Sequence, residues 1–241
     1  MASLAIGWNK RVSHRFVDRY IACSSLAARF AFAKKDAEKA RVIATGIDTE
    51  ALAFSAKKRE EFRTKFGYGP KTVVYGSAGR FDPQKNQFFL LDVYKEIGLR
   101  DPEARFFLSG RGPLEGAIRE KCRQVGLEGR CQIVTEFLDY QSFYSGLDAF
   151  LLPSAFEGLG LVLVEAQCSG LPCFATAGTI PQEAKILSSF QFLPLEEGPA
   201  GWASSILQSS QPSDREDAHL KLKEEGWDLE ETARKYAELF Q

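Results

Sequence analysis

Short apolar runs alternate with amphipathic stretches along most of this chain. The runs fall at residues 72–76, 105–108, 132–134, 148–152, 171–175 and 190–193. Most are rich in β-branched, aromatic or aliphatic residues, and Gly or Pro follows closely, as for buried strands. Between them lie helical patterns at 86–97, 114–125, 140–145, 160–169 and 181–187. In the first of these, Phe89, Leu90, Val93 and Ile97 repeat at the helical period. Upstream, 19–24 and 41–44 predict two short strands around a helix that Ser24 or Ser25 caps and that runs to about Phe32. Residues 47–54 predict irregular chain, and 57–66 a charged helix closed by Gly67 and Gly69-Pro70. Polar helices are expected from Gly198 to the end, with 204–214 mostly loop. Strands alternating with helices imply βαβ units, hence an α/β fold with a doubly wound parallel sheet covered on both faces. Ligands in such folds sit outside the carboxyl ends of the strands.

Composition narrows the function classes. The chain has 241 residues, 44% of them hydrophobic, enough for one large or two small domains. A net charge of −1 argues against a protein that coats nucleic acid. The cysteines, Cys23, Cys122, Cys131, Cys168 and Cys173, are odd in number and lack C-x-x-C spacing. They read as reduced thiols of a cytoplasmic protein, with neither a disulfide frame nor a metal site. The only histidines, His14 and His219, stand in polar contexts, which disfavours zinc and histidine-based triads. No apolar run is long enough to span a membrane, and Leu4-Ala5-Ile6 before Trp8-Asn9-Lys10-Arg11 does not make a signal peptide. Peripheral contact with a membrane surface stays open.

The candidate chemistry gathers at strand ends. After the run that Pro153 stops comes Phe156-Glu157-Gly158-Leu159-Gly160-Leu161, then a helix holding Glu165. Gly158 and Gly160 let backbone approach a ligand, and the helix N-terminus there suits an anion such as a diphosphate. Glu157 and Glu165 can accept hydrogen bonds from a sugar diol. The alternative is that Glu165 pairs with a nearby arginine and Glu157 is a solvated loop acid. A second strand end, Gly79-Arg80-Phe81-Asp82-Pro83-Gln84-Lys85, puts a guanidinium and an ammonium in one loop. Both can clamp a diphosphate, or both are solvated. Ser109-Gly110-Arg111-Gly112-Pro113 predicts a tight turn with a solvated Arg111 and is no dinucleotide fingerprint. Glu183, in a first helical turn, is expected to be there for the helix dipole alone.

Together, Gly79-Arg80-…-Lys85, Glu157-x7-Glu165-Ala166 and Gly170-Leu171-Pro172-Cys173 resemble the C-terminal half of family-4 (group 1) retaining glycosyltransferases, with the exopolysaccharide or capsule group the nearest in flavour. The resemblance implies GT-B architecture, of which this chain would carry the Rossmann-like C-terminal domain and a partial N-terminal remnant. Residues 1–68 would be remnant and linker, 69–226 the nucleotide-sugar-binding domain and 227–241 the crossing helix. It further implies that Arg80 and Lys85 bind the donor diphosphate beside Gly79, that Glu157 contacts the transferred sugar, and that Glu165 holds the ribose hydroxyls. Gly158, Gly160 and Leu161 would cradle phosphate through their backbone. Sugar would pass with retention from a nucleotide donor to a glycan or lipid-linked acceptor, without a bound metal or other cofactor, at the cytoplasmic side of the inner membrane. Thr45-Gly46-Ile47-Asp48 departs from the family's usual Asn at its first position, and Arg111 replaces a common acidic residue. Most of the N-terminal domain is expected to be missing, which leaves a surface for a partner or a second copy.

Overall fold

The computed structural model describes residues 17–136, 139–209 and 215–240. The segment 4–11 and the loop residues 210–214 therefore lie outside the described residues. The chain opens with β1 (Ile21–Ala22), α1 (Ser25–Ala31), α2 (Lys34–Ala37) and β2 (Arg41–Val42), and β1 and β2 pair in parallel. After α3 (Ala56–Lys65) come β3 (Val74–Ala78), α4 (Gln87–Arg100), β4 (Arg105–Ser109), α5 (Glu115–Gln124) and β5 (Cys131–Val134). Then follow α6 (Tyr140–Gly146), β6 (Ala149–Leu152), α7 (Leu161–Cys168), β7 (Cys173–Thr176) and β8 (Phe190–Leu193). Three helices end the chain: α8 (Gly198–Gln208), α9 (Ala218–Glu224) and α10 (Leu229–Ala237).

The six strands β3 to β8 form one parallel sheet in the order β5-β4-β3-β6-β7-β8. Side chains alternate between its two faces, as a two-residue period requires. Val74, Phe107, Phe150, Leu152 and Cys173 pack on one face with Phe62, Phe143, Leu163 and Leu222. Tyr75, Phe106, Leu108, Leu151 and Phe174 pack on the other with Leu90, Ile118 and Trp202. Both faces are thus covered, which is why the strands read as nearly unbroken apolar runs. The strand order reverses between β3 and β6, and that switch point opens a crevice at the carboxyl edge.

Residues 47–68 join this core, since Ile47, Leu52, Phe62 and Tyr68 belong to the first cluster. Helix α3 is also held by charge. Arg59 and Arg63 both reach Asp148 at the start of β6, Arg63 at 3.1 Å, and Asp148 accepts from Val74 N at 2.7 Å. The end of the chain folds back on its beginning: Ile47 N donates to Trp227 O at 2.9 Å and Leu229 N to Ile47 O at 3.1 Å.

Two predicted elements differ. Residues 181–187 form only a three-residue 3-10 turn, Gln182–Ala184. The amides of Ile186 and Leu187 donate to the Gln167 side chain at 3.0 and 2.9 Å, so they are lost to a helical ladder. Helix α8 is amphipathic and extends to Gln208, because Trp202, Ala203 and Ile206 are buried on one stripe.

Candidate functional site

The loop after β3 is built to approach its neighbours closely. Gly79 N donates to Ser109 O and Phe81 N to Arg111 O, both at 3.0 Å, which stitches it to the loop after β4. A side chain at Gly110 (φ +157°) would place its Cβ 1.9 Å from Gly79 O, so glycine is required. Asp82 then caps the 3-10 turn Pro83–Lys85. Across the switch point, Gln84 accepts from Ala155 N at 2.7 Å and donates from its side chain to Phe156 O at 2.9 Å. The loops after β3, β4 and β6 are therefore one connected rim.

On that rim Lys85 and Glu157 meet. Lys85 Nζ lies 2.7 Å from Glu157 Oε1, and the two side chains are only 17% and 8% exposed. The lysine stem packs over Gly79, whose added Cβ would stand 3.1 Å from Lys85 Cε. Glu157 is thus neither solvated nor unpaired. Arg80 differs: its side chain is 72% exposed, with Asp82 at 3.7 Å, while its carbonyl accepts from Gln87 at 2.8 Å. Helix α7 starts behind this pair. Gly160 precedes it in the left-handed conformation (φ +78°) and offers no side-chain cap, while Leu163 N already donates to Gly160 O at 2.8 Å, so the unpaired amides of a helix start are those of its very first residues.

Glu165, on α7, faces a cavity of about 710 Å³ that Arg80, Arg111, Thr135, Glu136 and Tyr144 also line. Its partner is a tyrosine and not an arginine: Tyr144 donates to Glu165 Oε2 at 2.6 Å. Burial pushes the Glu165 carboxyl up, and the Tyr144 hydrogen bond pulls it partly back. The Tyr144 phenol is held well above its ordinary range by burial and by the adjacent Glu165. Arg111, exposed as expected, nonetheless lines the cavity.

The structure thus brings Gly79, Arg80, Lys85, Glu157, Gly160, Leu161 and Glu165 to one edge of the sheet. Gly158 joins them and makes a contact that sequence reasoning missed: Ser24, at the N-cap of α1, donates to the Gly158 carbonyl. Ser25 N donates to Glu183 Oε1 at 2.9 Å, and Ser25 Oγ donates to the same oxygen. Burial raises the Glu183 carboxyl, but these two bonds and its own backbone bring it below the usual carboxylate range. Glu183 therefore ties the N-terminal segment to the loop after β7, a role beyond dipole compensation. Tyr144 was missed as well. Nothing local in the sequence marks it; only the structure shows its polar tip at a fully buried position of α6. Among the described residues, no three His, Cys, Asp or Glu side chains gather as a metal site would require.

The family described as Glycosyl transferases group 1 matches residues 58–188, more than half of the chain and the whole rim described above. The chain belongs to this family. Among relatives of this group 1 chain, EpsF of Bacillus subtilis (strain 168) is 32% identical over 191 residues, covering 78% of this chain and 50% of EpsF. The UDP-Gal:alpha-D-GlcNAc-diphosphoundecaprenol alpha-1,3-galactosyltransferase of Escherichia coli is 29% identical over 144 residues, covering 58% of this chain and 37% of that protein. The crystal structure of Anabaena Alr3699/HepE in complex with UDP-glucose superposes with a TM-score of 0.81 at 18% identity. That match covers 100% of this chain and 68% of HepE. The fold is thus that of the Rossmann-like half of a GT-B glycosyltransferase. This group 1 chain spans about half the length of the curated relatives it matches. Among the described residues no helix is long and apolar enough to cross a membrane.

Proposed function

We propose that this chain is the donor-binding half of a retaining hexosyltransferase of polysaccharide biosynthesis. It would take its sugar from a nucleoside diphosphate sugar and pass it to a glycan or lipid-linked acceptor. The observation that carries this reading is the Lys85–Glu157 pair at the switch point, with Arg80 and Glu165 on the adjoining cavity. A diphosphate gains charge as it leaves. Arg80, Lys85 and the N-terminus of α7 stand ready to meet that charge, and preorganised donors of this kind lower such barriers most. Release of Lys85 to the diphosphate would turn Glu157 toward the transferred sugar. Glu165, with one oxygen engaged by Tyr144, keeps acceptor capacity for ribose hydroxyls. On this reading no bound metal or other cofactor is needed, since the cations of the rim do that work. HepE has been crystallised with UDP-glucose, which favours a nucleotide-sugar donor here.

Calorimetric titration with UDP, GDP and ADP sugars tests this reading. Binding of at least one donor is expected, weakened by Glu157→Ala. Absence of heat with every donor refutes it.

A second reading is a non-catalytic nucleotide-sugar-binding module that acts only with a partner chain on the acceptor side. It is favoured by the N-terminal segment, where grooves of about 810 Å³ flank the two-stranded β1–β2 layer and Phe30, Val42 and Phe240 are exposed. Such a surface would take the other half of the fold, a separate partner or a second copy. Sugar transfer by this chain alone excludes the module. The five free thiols fit a cytoplasmic setting, with the acceptor met at the inner face of the membrane.

A further inference from the structure

Tyr144 shows no exposed surface, yet it carries a hydroxyl into the wall of the cavity. Its ring is wedged against Phe143 and Phe150, with centroids 5.0 and 5.8 Å away. A buried phenol without an acceptor is costly, so the direction of its O–H is informative. That O–H points at Glu165 Oε2, 2.6 Å away. The backbone of Tyr144 is fixed from behind. Arg215 Nη2 donates to the Tyr144 carbonyl at 2.9 Å, while other nitrogens of the same guanidinium reach Leu147 O at 2.9 Å and Ser169 O at 2.8 Å. One buried cation thus clamps the end of α6 to the end of α7, the two helices that carry Tyr144 and Glu165.

Glu165 has no other side-chain hydrogen bond among the described residues, and it faces the cavity. A carboxylate offers about four acceptor sites, of which Tyr144 fills one. Left alone, a half-buried glutamate would sample several rotamers. Tied at Oε2 to an immobile ring, its remaining lone pairs point in a fixed direction.

We propose that Tyr144 is a positioning residue that holds Glu165 in register to accept the 2′- and 3′-hydroxyls of the donor ribose. By doing so it sets the preference for ribonucleotides over deoxyribonucleotides. This rests on the reading that Glu165 takes the ribose. Tyr144→Phe removes only the oxygen and keeps the ring, so the core and the clamp are retained.

The test is calorimetric titration of the full chain with UDP and GDP, each beside its 2′-deoxy counterpart, in wild type, Tyr144→Phe, Glu165→Gln and the double variant. Wild type is expected to prefer the ribo form by about tenfold or more, as befits loss of a hydrogen bond to a charged group. Glu165→Gln should erase most of that preference. Tyr144→Phe should cut it several-fold while affinity for the deoxy form stays within about twofold. In the Glu165→Gln background, Tyr144→Phe should have no further effect on the ratio. An unchanged ratio in Tyr144→Phe overturns the inference. So does a parallel loss of affinity for both forms, which marks general damage to the cavity wall. Wild type that binds diphosphates without preferring ribose, or Glu165→Gln that keeps the preference, sinks instead the ribose reading of Glu165. Absence of any binding sinks the donor reading as a whole.

Discussion

Removing Lys85 separates two roles of one ion pair. Lys85 Nζ and Glu157 Oε1 stand 2.7 Å apart, with side chains 17% and 8% exposed. At that distance and an effective dielectric of about 20, their attraction is about 6 kcal/mol, most of which only repays the desolvation of both ions. The pair is therefore worth little over an uncharged one, yet breaking it is costly. Lys85→Met strands a carboxylate that is nearly out of water, and such truncations cost about 3–5 kcal/mol. The residual exposure of the pair lets some water in, which puts the expected loss at about 3 kcal/mol. With a urea m-value of about 2.5 kcal/mol/M, the midpoint should fall by about 1.2 M. Adding Glu157→Gln removes the stranded charge and should bring stability back to within about 1 kcal/mol of wild type. Urea titrations followed by tryptophan fluorescence read this directly, since Trp202 and Trp227 are buried. Donor affinity should stay low in both variants, because neither has the ammonium. A single variant as stable as wild type, or a double variant no better than the single, refutes the reasoning.

Arg80→Ala should behave oppositely: with a side chain 72% exposed and Asp82 only at 3.7 Å, its loss should leave stability within about 0.5 kcal/mol. Donor affinity should nonetheless fall about tenfold or more, and the deficit should shrink as salt rises; calorimetry at two ionic strengths checks both. Tyr75→Phe should alter alkaline stability. Burial, with lesser help from Asp101 and Asp148, pushes the Tyr75 phenol up to about 12, against about 10 unfolded. A raised folded value means stability that is complete below pH 10 and lost as pH climbs toward 12, by about 2–3 kcal/mol. Tyr75→Phe should match wild type at pH 7 and lose less between pH 10 and 12 in alkaline urea titrations. Equal losses would refute the assignment.

Much of the fold was legible in the sequence because both faces of the sheet are buried. Phe106, Phe107 and Leu108 point to alternate faces, yet all three are apolar, so the run declares itself without periodicity. The meeting of Lys85 with Glu157 was legible for a topological reason: both follow strands, and strand ends in a parallel sheet share an edge. What stayed hidden was set by contacts between elements far apart in sequence. Gln167 intercepts the amides of Ile186 and Leu187, and no local pattern at 181–187 could announce a competitor on α7. The stripe on α8 was hidden by Gly198, Pro199, Ser204 and Ser205, which make a buried helix look polar.

The same logic explains why the contacts made by Tyr144 and Ser25 escaped notice while Glu157 and Glu165 did not. A carboxylate among Val164 and Ala166 is a conflict visible in one line of sequence, because it needs a compensating partner. The partner is not visible, since tyrosine and serine are ordinary in helices and at caps. Glu165 drew attention as a charge in apolar surroundings, but the group that answers it lies 21 residues away on α6. Glu183 likewise looked satisfied by its own helix turn, yet its Oε1 is taken by Ser25, 158 residues upstream. In both cases the acid marks the site and a neutral hydroxyl fixes its direction. The N-terminal segment is therefore tied to the loops after β6 and β7, through Ser24 at Gly158 and Ser25 at Glu183.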